Sequence, residues 1–184
     1  MAKSPLAVLT DRFPLISTAT DKHLEFFDGI ISLVRNRTIN DILGEKIKAY
    51  VLGWLSTQSL DDFNDFSDES YVRTYLGRCP RTHWEAILMS WKQGNMTSIH
   101  AHPQFAGYHF AGGIFQVEIF EPVGSHSVRL IDKLTVDKPT GFFAVGKAGA
   151  FDNHVHRITC LSETGHSLHV YSDNALKGQT YDLL

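Results

Sequence analysis

Residues 98–110 read SIHAHPQFAGYHF, and the two histidines His100 and His102 are the most informative feature of the chain. Alternate side chains of a β-strand lie on the same face, so both imidazoles would project into one space. Ala101 and Ala106 are small and would leave room for a ligand beside them. An isolated pair of this kind is equally compatible with two unrelated histidines near the mouth of a barrel.

A metal at this pair would need a third protein ligand. Many non-haem iron sites take it from a carboxylate, but no Asp or Glu occurs between Pro103 and Gln116. Another histidine is therefore the natural candidate, and the segment DNHVHRIT (152–159) offers His154 and His156 on a second predicted strand. We expect that strand to supply one of the two to the site.

A third polar pattern lies close to the end of the chain, in the segment SLHVYS. Its period of two places Ser167, His169 and Tyr171 on one face. Burying three such groups is costly unless they bind one another or a ligand. The alternative is that this face is solvated and that Leu168 and Val170 point to the core.

Helical periodicity dominates the chain before about residue 80. The pattern predicts one helix after a cap at Asp21 and a second that opens at Thr38. Their apolar faces comprise Leu24, Phe27, Ile30, Ile31 and Val34, then Ile39, Ile42, Leu43, Ile47, Tyr50, Val51 and Trp54. The acidic stretch 59–70 is predicted to be a solvated loop and helix cap rather than a metal site.

Short β-rich runs separated by turn residues follow residue 80. The predicted strands cover 83–91, 97–102, 106–122, 127–136, 141–146, 154–162 and 167–172. Many short strands without intervening helices indicate a sandwich or barrel. We therefore predict a mainly β protein with a single domain over 1–184, in which 1–78 is mostly helical and packs on a barrel formed by 79–184.

The composition argues against several classes of function. The net charge is -3 and no run of Lys and Arg exceeds two, so nucleic-acid binding is not expected. No apolar stretch reaches about 18 residues, so no membrane span is expected, and the N-terminus does not resemble a signal peptide. The two cysteines, Cys79 and Cys160, suit a reducing cytoplasm. The sequence does not fix the oligomeric state, and a monomer is compatible with it.

The motifs together resemble a known family. GNMTSIHAH resembles the first cupin motif, and WKQGNMTSIHAH followed by HVHRITCLS and SLHVYS is similar to the cysteine dioxygenase family, in its bacterial form. The resemblance covers roughly residues 70–172. It implies a small cupin barrel preceded by α-helices, one bound Fe(II), and oxidation of a small thiol by dioxygen.

The resemblance also assigns roles to individual residues. It implies that His100, His102 and His156 are the iron ligands, with His156 preferred over His154 because Arg157 follows it as in the family. It further implies that Ser167, His169 and Tyr171 are catalytic residues in a hydrogen-bonded chain, and that Arg73 of YVRTY binds the substrate carboxylate.

The chain departs from the family pattern at two places. Some members have a cysteine that crosslinks to the active-site tyrosine, whereas this chain has Ala106 or Gly107 at that position. We therefore expect Tyr171 to be unmodified. Asp173 and Asn174 replace the prolines that follow the last motif, in a loop that shapes the substrate end of the site.

The expected activity is oxidation of L-cysteine to cysteine sulfinic acid. Three alternatives remain at this point: the same chemistry on 3-mercaptopropionate, a zinc hydrolase with three histidines, and a cupin without catalytic function. Because the ligating form is neutral imidazole, we expect activity to fall as the pH drops toward about 6.5. The sequence assigns no role to His83, His109, His126, His154 or His166.

Overall fold

A computed structural model describes residues 15–18 and 23–184 of the chain. In chain order its helices and strands are β1 (Leu15–Thr18), α1 (Leu24–Val34), α2 (Asp41–Leu55), β2 (Val72–Arg78), β3 (Glu85–Lys92), β4 (Ile99–His102), β5 (Phe105–Gly112), β6 (Phe115–Pro122), β7 (Ser127–Val136), β8 (Thr140–Val145), β9 (Asn153–Cys160), β10 (Thr164–Tyr171) and β11 (Thr180–Leu183). The predicted architecture, a mainly β barrel preceded by α-helices, is confirmed.

The helix starts differ in detail from the sequence prediction. The N-cap position of α1 is His23, and the predicted cap Asp21 lies outside the described residues. Helix α2 does not open at Thr38. It begins after Asn40, whose side chain accepts a hydrogen bond from the Leu43 backbone N–H at 3.0 Å, because a short amide at the N-cap satisfies a free backbone donor. No helix within 23–184 is long and apolar enough to cross a membrane.

The barrel begins earlier than the predicted boundary at residue 79. Strand β2 lies inside the part that was expected to be helical, and it pairs with β3 along its length. The alternation of apolar and polar residues in β2 is hard to recognise because Arg73 occupies a buried position, where an apolar residue is expected. The predicted strand 106–122 is in fact the hairpin β5–β6, which turns through Gly113 with a φ of +97°.

Two sheets face each other across the interior. The first has the order β1-β2-β3-β10-β5-β8. The second has the order β11-β4-β9-β6-β7, and it closes because β11 also pairs with β7. In the first sheet, directly opposite residues of neighbouring strands form rows across the sheet. One such row contains Tyr75, Ile87, His169, Tyr108 and Phe142.

The helices cover the outer face of the first sheet. Their apolar residues, among them Phe26, Ile30 and Ile47, pack with Leu88 and Leu168 in one core. A second core fills the barrel interior and contains Trp91, Phe110, Phe115, Ile158 and Tyr171. Polar side chains that point into the barrel interior are therefore surrounded by apolar packing on several sides.

His109 lies on the helix-covered face and is fully buried. Its Nδ1–H donates to the Leu168 carbonyl at 3.0 Å, whereas Nε2 has no hydrogen-bond partner within the described residues. Burial lowers the pKa of His109 from its ordinary value of 6.5 to about 4. The folded protein therefore resists protonation at this site.

This shift predicts that the protein loses stability as the pH falls from about 6.5 to about 4. Over that window the unfolded chain binds a proton at residue 109 and the folded chain does not, so the free energy of unfolding drops, by up to about 3 kcal/mol for this group. When the free energy of unfolding is measured with urea at several pH values, its dependence on pH should be shallower for His109→Gln than for the wild type. His126→Gln, at an exposed position, is the control and should keep the wild-type slope.

Candidate metal centre

Strands β4 and β9 bring three histidines together inside the barrel. His100 lies directly opposite His156 in the antiparallel register, and His102 lies one pleat away. The ring centroids are 4.6 Å apart for His100 and His102, 5.1 Å for His100 and His156, and 4.5 Å for His102 and His156. One ring nitrogen from each lies within 4.8 Å of the others, a spacing that could hold a metal ion.

Backbone carbonyls orient two of the three rings. His100 donates through Nδ1 to the Ser98 carbonyl at 2.9 Å, and His102 donates through Nδ1 to the carbonyls of Asn153 at 3.2 Å and His154 at 3.1 Å. This fixes the tautomer that leaves Nε2 as the lone-pair nitrogen, as is typical of histidines that ligate metals.

The free nitrogens fit a metal ion. His102 Nε2 and both ring nitrogens of His156 are buried without a hydrogen-bond partner in the described part of the chain. A buried polar atom without a partner is unfavourable, and coordination to a cation would compensate for it. The donor set of three imidazoles suits iron, zinc or copper better than magnesium or calcium.

Burial keeps these imidazoles neutral. It lowers the pKa of His100 to about 4. Burial, followed by the neighbouring histidines, lowers the pKa values of His102 and His156 well below 6.5. The sequence led us to expect that activity falls as the pH drops toward about 6.5, whereas these lowered pKa values predict that the metal-free site retains neutral histidines to a lower pH.

A β-bulge in β9 explains why His156 joins the group and His154 does not. The register between β4 and β9 shifts so that His102 pairs with Asn153, and His154 has a φ of +49°. This conformation turns the His154 carbonyl toward His102, as described above. The His154 side chain also lies inside the barrel, but its Nε2 forms a short hydrogen bond with the Tyr108 hydroxyl.

The second predicted constellation forms a buried chain of hydrogen bonds. Ser167 Oγ lies 2.8 Å from His169 Nε2, and His169 Nδ1 lies 2.8 Å from the Tyr171 hydroxyl. All three side chains are buried, so the alternative of a solvated face is wrong. The chain extends one residue further than the sequence indicated, because the Trp91 indole N–H donates to Ser167 Oγ at 2.9 Å.

Trp91 sets the direction of this chain. An indole can only donate, so Ser167 Oγ accepts from it, and the serine hydroxyl is free to donate to His169 Nε2. The neutral imidazole then carries its proton on Nδ1 and donates to the Tyr171 oxygen. Burial raises the pKa of Tyr171, so the phenol keeps its own hydrogen, which remains available to the cavity beside the three histidines.

Arg73 projects into the same cavity. This cavity has a volume of about 90 Å³, and its lining includes Arg73, His100, His156, His169 and Tyr171. The Arg73 side chain is buried, and its Nε and Nη2 have no hydrogen-bond partner among the described residues. An anionic ligand would satisfy these two donors, and a carboxylate matches the planar geometry of the guanidinium.

Glu85, which no sequence motif indicated, partly balances the charge of Arg73 and also lies 3.7 Å from Arg78 Nε. Glu85 is fully buried on β3, and its Oε1 lies 4.0 Å from Arg73 Nη2. Burial raises the pKa of its carboxyl, although a hydrogen bond from the Ala175 backbone and the charge of Arg73 oppose this effect. The only available signal was a single acidic residue in the otherwise apolar run WEAILMSW.

The segment after β10 closes one side of the cavity. Asn174 caps a short 3-10 helix by accepting a hydrogen bond from the Leu176 backbone N–H at 3.0 Å, and Asp173 pairs with Lys177 at 3.2 Å. Ala175 and Leu176 line the cavity, so the loop that replaces the family's prolines does border the site.

The two candidates for the position at which some family members have cysteine lie on β5, next to β10. Ala106 lies directly opposite Tyr171 across β5 and β10, and Gly107 lies opposite Val170. Both Cys79 and Cys160 are free, and neither lines the cavity. The Tyr171 ring therefore has no sulfur neighbour in this position.

The other residues mentioned in the sequence analysis lie outside the cavity. Arg157 forms an ion pair with Glu118 at 2.6 Å. His166 Nε2 donates to the Phe63 carbonyl at 3.1 Å. His83 lies in the turn before β3 with a φ of +63°, and none of these residues lines the cavity.

Comparison with known proteins supports no assignment beyond the fold. No family model matches the sequence, and no curated protein matches it. A protein with a double-stranded β-helix domain from Klebsiella pneumoniae subsp. pneumoniae MGH 78578 is 13% identical over 68% of this chain and 96% of its own, with a TM-score of 0.49. A cupin superfamily protein from Desulfitobacterium hafniense DCB-2 is 11% identical over 59% of this chain and 82% of its own, with a TM-score of 0.44.

A third solved structure, a cupin 2 conserved barrel domain protein from Leptotrichia buccalis, is 16% identical over 62% of this chain and 46% of its own, with a TM-score of 0.45. Likenesses of this size leave the function to be argued from the site. The described part of the chain is a β-barrel with a group of three histidines that could bind a metal ion.

Proposed function

We propose that the protein is an iron-dependent thiol dioxygenase that converts L-cysteine to cysteine sulfinic acid. The observation that carries the proposal is the composition of one cavity of about 90 Å³. Its lining includes histidines of the metal group, Arg73 with two nitrogens that have no hydrogen-bond partner among the described residues, and Tyr171. A metal, an anion-binding group and a proton donor are what oxidation of a small anionic thiol requires.

The reaction balances without a further reductant. The thiol R–SH gains both atoms of dioxygen and becomes the sulfinic acid R–SO₂H, so sulfur loses the four electrons that dioxygen takes up. When bound by His100, His102 and His156, iron would lower the pKa of the thiol and activate dioxygen. No protein carboxylate belongs to the three-histidine group, which favours an anionic substrate.

The cavity residues would position the substrate. Arg73 would hold the carboxylate through two parallel hydrogen bonds, and this fixes the distance of the thiol from the histidines. Tyr171 would donate its hydrogen bond to the sulfur or to an oxygen that is being transferred. Ser167 and His169 act through Tyr171, because they fix the direction of its hydroxyl.

A second substrate, 3-mercaptopropionate, is also supported by the cavity. None of the residues that line it is acidic, so no side chain is present to pair with the ammonium group that cysteine has and 3-mercaptopropionate lacks. The resemblance instead favours cysteine, because family members that prefer the mercapto acid tend to have Gln where this chain has Arg73. The two thiols therefore need to be compared directly.

The proposal also covers the partners of the protein and the compartment in which it acts. Its partners are a small thiol and dioxygen, without nucleic acid or membrane. We place the protein in the cytoplasm, because both described cysteines are free and a reducing compartment would also keep the substrate thiol reduced.

Tyr171→Phe should reduce turnover about 10-fold or more, which corresponds to about 1.4 kcal/mol of transition-state stabilisation. The substitution keeps the ring and removes only the hydroxyl that points to the cavity. Turnover and iron content should be measured together, and the iron content should not change. Tyr181→Phe is the matched control, because the Tyr181 hydroxyl contacts Gln179 instead. Full activity in Tyr171→Phe would mean that the hydrogen-bonded chain is only structural.

A further inference from the structure

The barrel contains a second cavity, which the proposed reaction has not used so far. It has a volume of about 270 Å³, and most of its lining is apolar. The apolar contributors are Val117, Ile119, Leu134, Phe142 and Phe143. These residues belong to β6, β7 and β8, whereas the first cavity lies at the side of β2 and β3.

Tyr108 stands between the two cavities. Its side chain lines the second cavity. Its ring centroid is 4.8 Å from that of His156 in an edge contact and 6.3 Å from that of His169, and both histidines line the first cavity. His154 also lines the second cavity, and its ring centroid is 5.3 Å from that of His156, so Tyr108 and His154 together separate this cavity from the three-histidine group.

Each polar side chain that lines the second cavity makes a contact within the protein. At its inner wall the Tyr108 hydroxyl and His154 Nε2 bind each other. At its rim the Lys48 ammonium pairs with Glu45 at 2.7 Å and lies 5.4 Å from the centroid of the Phe143 ring. The cavity thus offers a largely apolar surface to a ligand, in contrast to the first cavity, where Arg73 has two nitrogens without a hydrogen-bond partner in the described structure.

We infer that the second cavity admits dioxygen to the metal centre, with the Tyr108–His154 pair as the wall that dioxygen passes. This inference rests on the proposed function, which needs one anionic and one apolar reactant. The polar cavity suits the anionic thiol. An apolar cavity favours a small apolar molecule over water, as shown by the binding of xenon in dry apolar cavities of proteins.

The strained backbone at His154 is consistent with this role. A non-glycine residue with a φ of +49° is uncommon and costs conformational energy. Here it presents the imidazole to Tyr108 while its carbonyl accepts a hydrogen bond from His102. The same bulge therefore builds both the metal group and the wall between the cavities.

The first test uses xenon on crystals of the metal-free protein, so it does not depend on catalysis. Xenon should bind among Phe142, Leu134 and Val117 in the wild type and should be lost in Leu134→Trp, whose larger ring fills the space. Absence of xenon from this cavity in the wild type would overturn the inference.

The second test measures how fast nitric oxide, a diatomic surrogate for dioxygen, binds to the iron-loaded protein in stopped flow. Leu134→Trp should reduce the association rate constant about 10-fold, and Leu134→Phe should have a smaller effect if the larger substitution does not fold. Ile131→Trp is the matched control on the same strand, since Ile131 is 56% exposed and does not line the cavity. Its rate should equal that of the wild type.

Equal rates in all variants would overturn the inference. An increased KM for the thiol with an unchanged nitric oxide rate would also overturn it, because the cavity would then hold part of the organic substrate. A slow rate in Leu134→Trp together with no thiol oxidation by the wild type would support the access route and refute the proposed function.

Discussion

His156→Ala should abolish iron retention, whereas His154→Ala should leave it largely intact. Only His156 has both ring nitrogens buried without a partner in the described structure and within reach of the other two histidines. Removing one of three ligands leaves a two-histidine site, and even the loss of an outer-shell partner typically costs 10–100-fold in metal affinity. Iron per chain after desalting is the measurement.

The paired variant makes this experiment specific. His154 lies on the same strand and inside the same barrel, and its backbone supports His102. Alanine at residue 154 keeps that carbonyl and removes only the side chain that contacts Tyr108. Circular dichroism of both variants should match the wild type. Iron loss in His154→Ala with retention in His156→Ala would contradict the assignment of the ligands.

Arg73→Gln should lower kcat/KM for L-cysteine about 100-fold, because a bidentate charge-assisted contact contributes about 3 kcal/mol. Cysteamine has the thiol and the amine but no carboxylate. It should therefore be a poor substrate of the wild type, and Arg73→Gln should change its turnover little. Steady-state oxygen consumption with both thiols measures the two effects.

Glu85 must be controlled in this experiment. Arg73→Gln removes one of the two arginines beside the buried Glu85 carboxylate, the other being Arg78 with its Nε 3.7 Å from Oε2, and this loss destabilises the fold for reasons unrelated to substrate. The double variant Arg73→Gln/Glu85→Gln removes both charges and should be more stable than the single variant, with the same loss of activity toward cysteine. Equal turnover of cysteamine and cysteine by the wild type would remove Arg73 from the substrate site.

The sequence predicted those parts of the candidate site that follow from the alternation of side chains along a β-strand. The pair His100 and His102 and the run from Ser167 to Tyr171 each occupy alternate positions of one strand, so their common face is implied by the pleat. The resemblance then supplied what the period could not, which is that these residues and His156 belong to one site. Of these residues, His100, His169 and Tyr171 line one cavity together with Arg73.

Several features were not predictable from local patterns. The contacts of Trp91 with Ser167 and of Glu85 with Arg73 depend on how strands distant in sequence pair. The bulge at His154 has no local signature such as glycine, because the tertiary hydrogen bonds to Tyr108 and His102 stabilise it. Strand β2 was missed for a related reason, since its inward arginine interrupts the apolar alternation.

Oxygen consumption by the iron-loaded protein with a set of small thiols tests the central claim most directly. L-cysteine and 3-mercaptopropionate should each be tried, with cysteamine and alanine as controls, under isotopically labelled dioxygen. The account predicts thiol-dependent uptake of dioxygen and a sulfinic acid product that carries two labelled oxygen atoms. No uptake with any carboxylate-bearing thiol, from protein shown to hold iron at the three histidines, would contradict it.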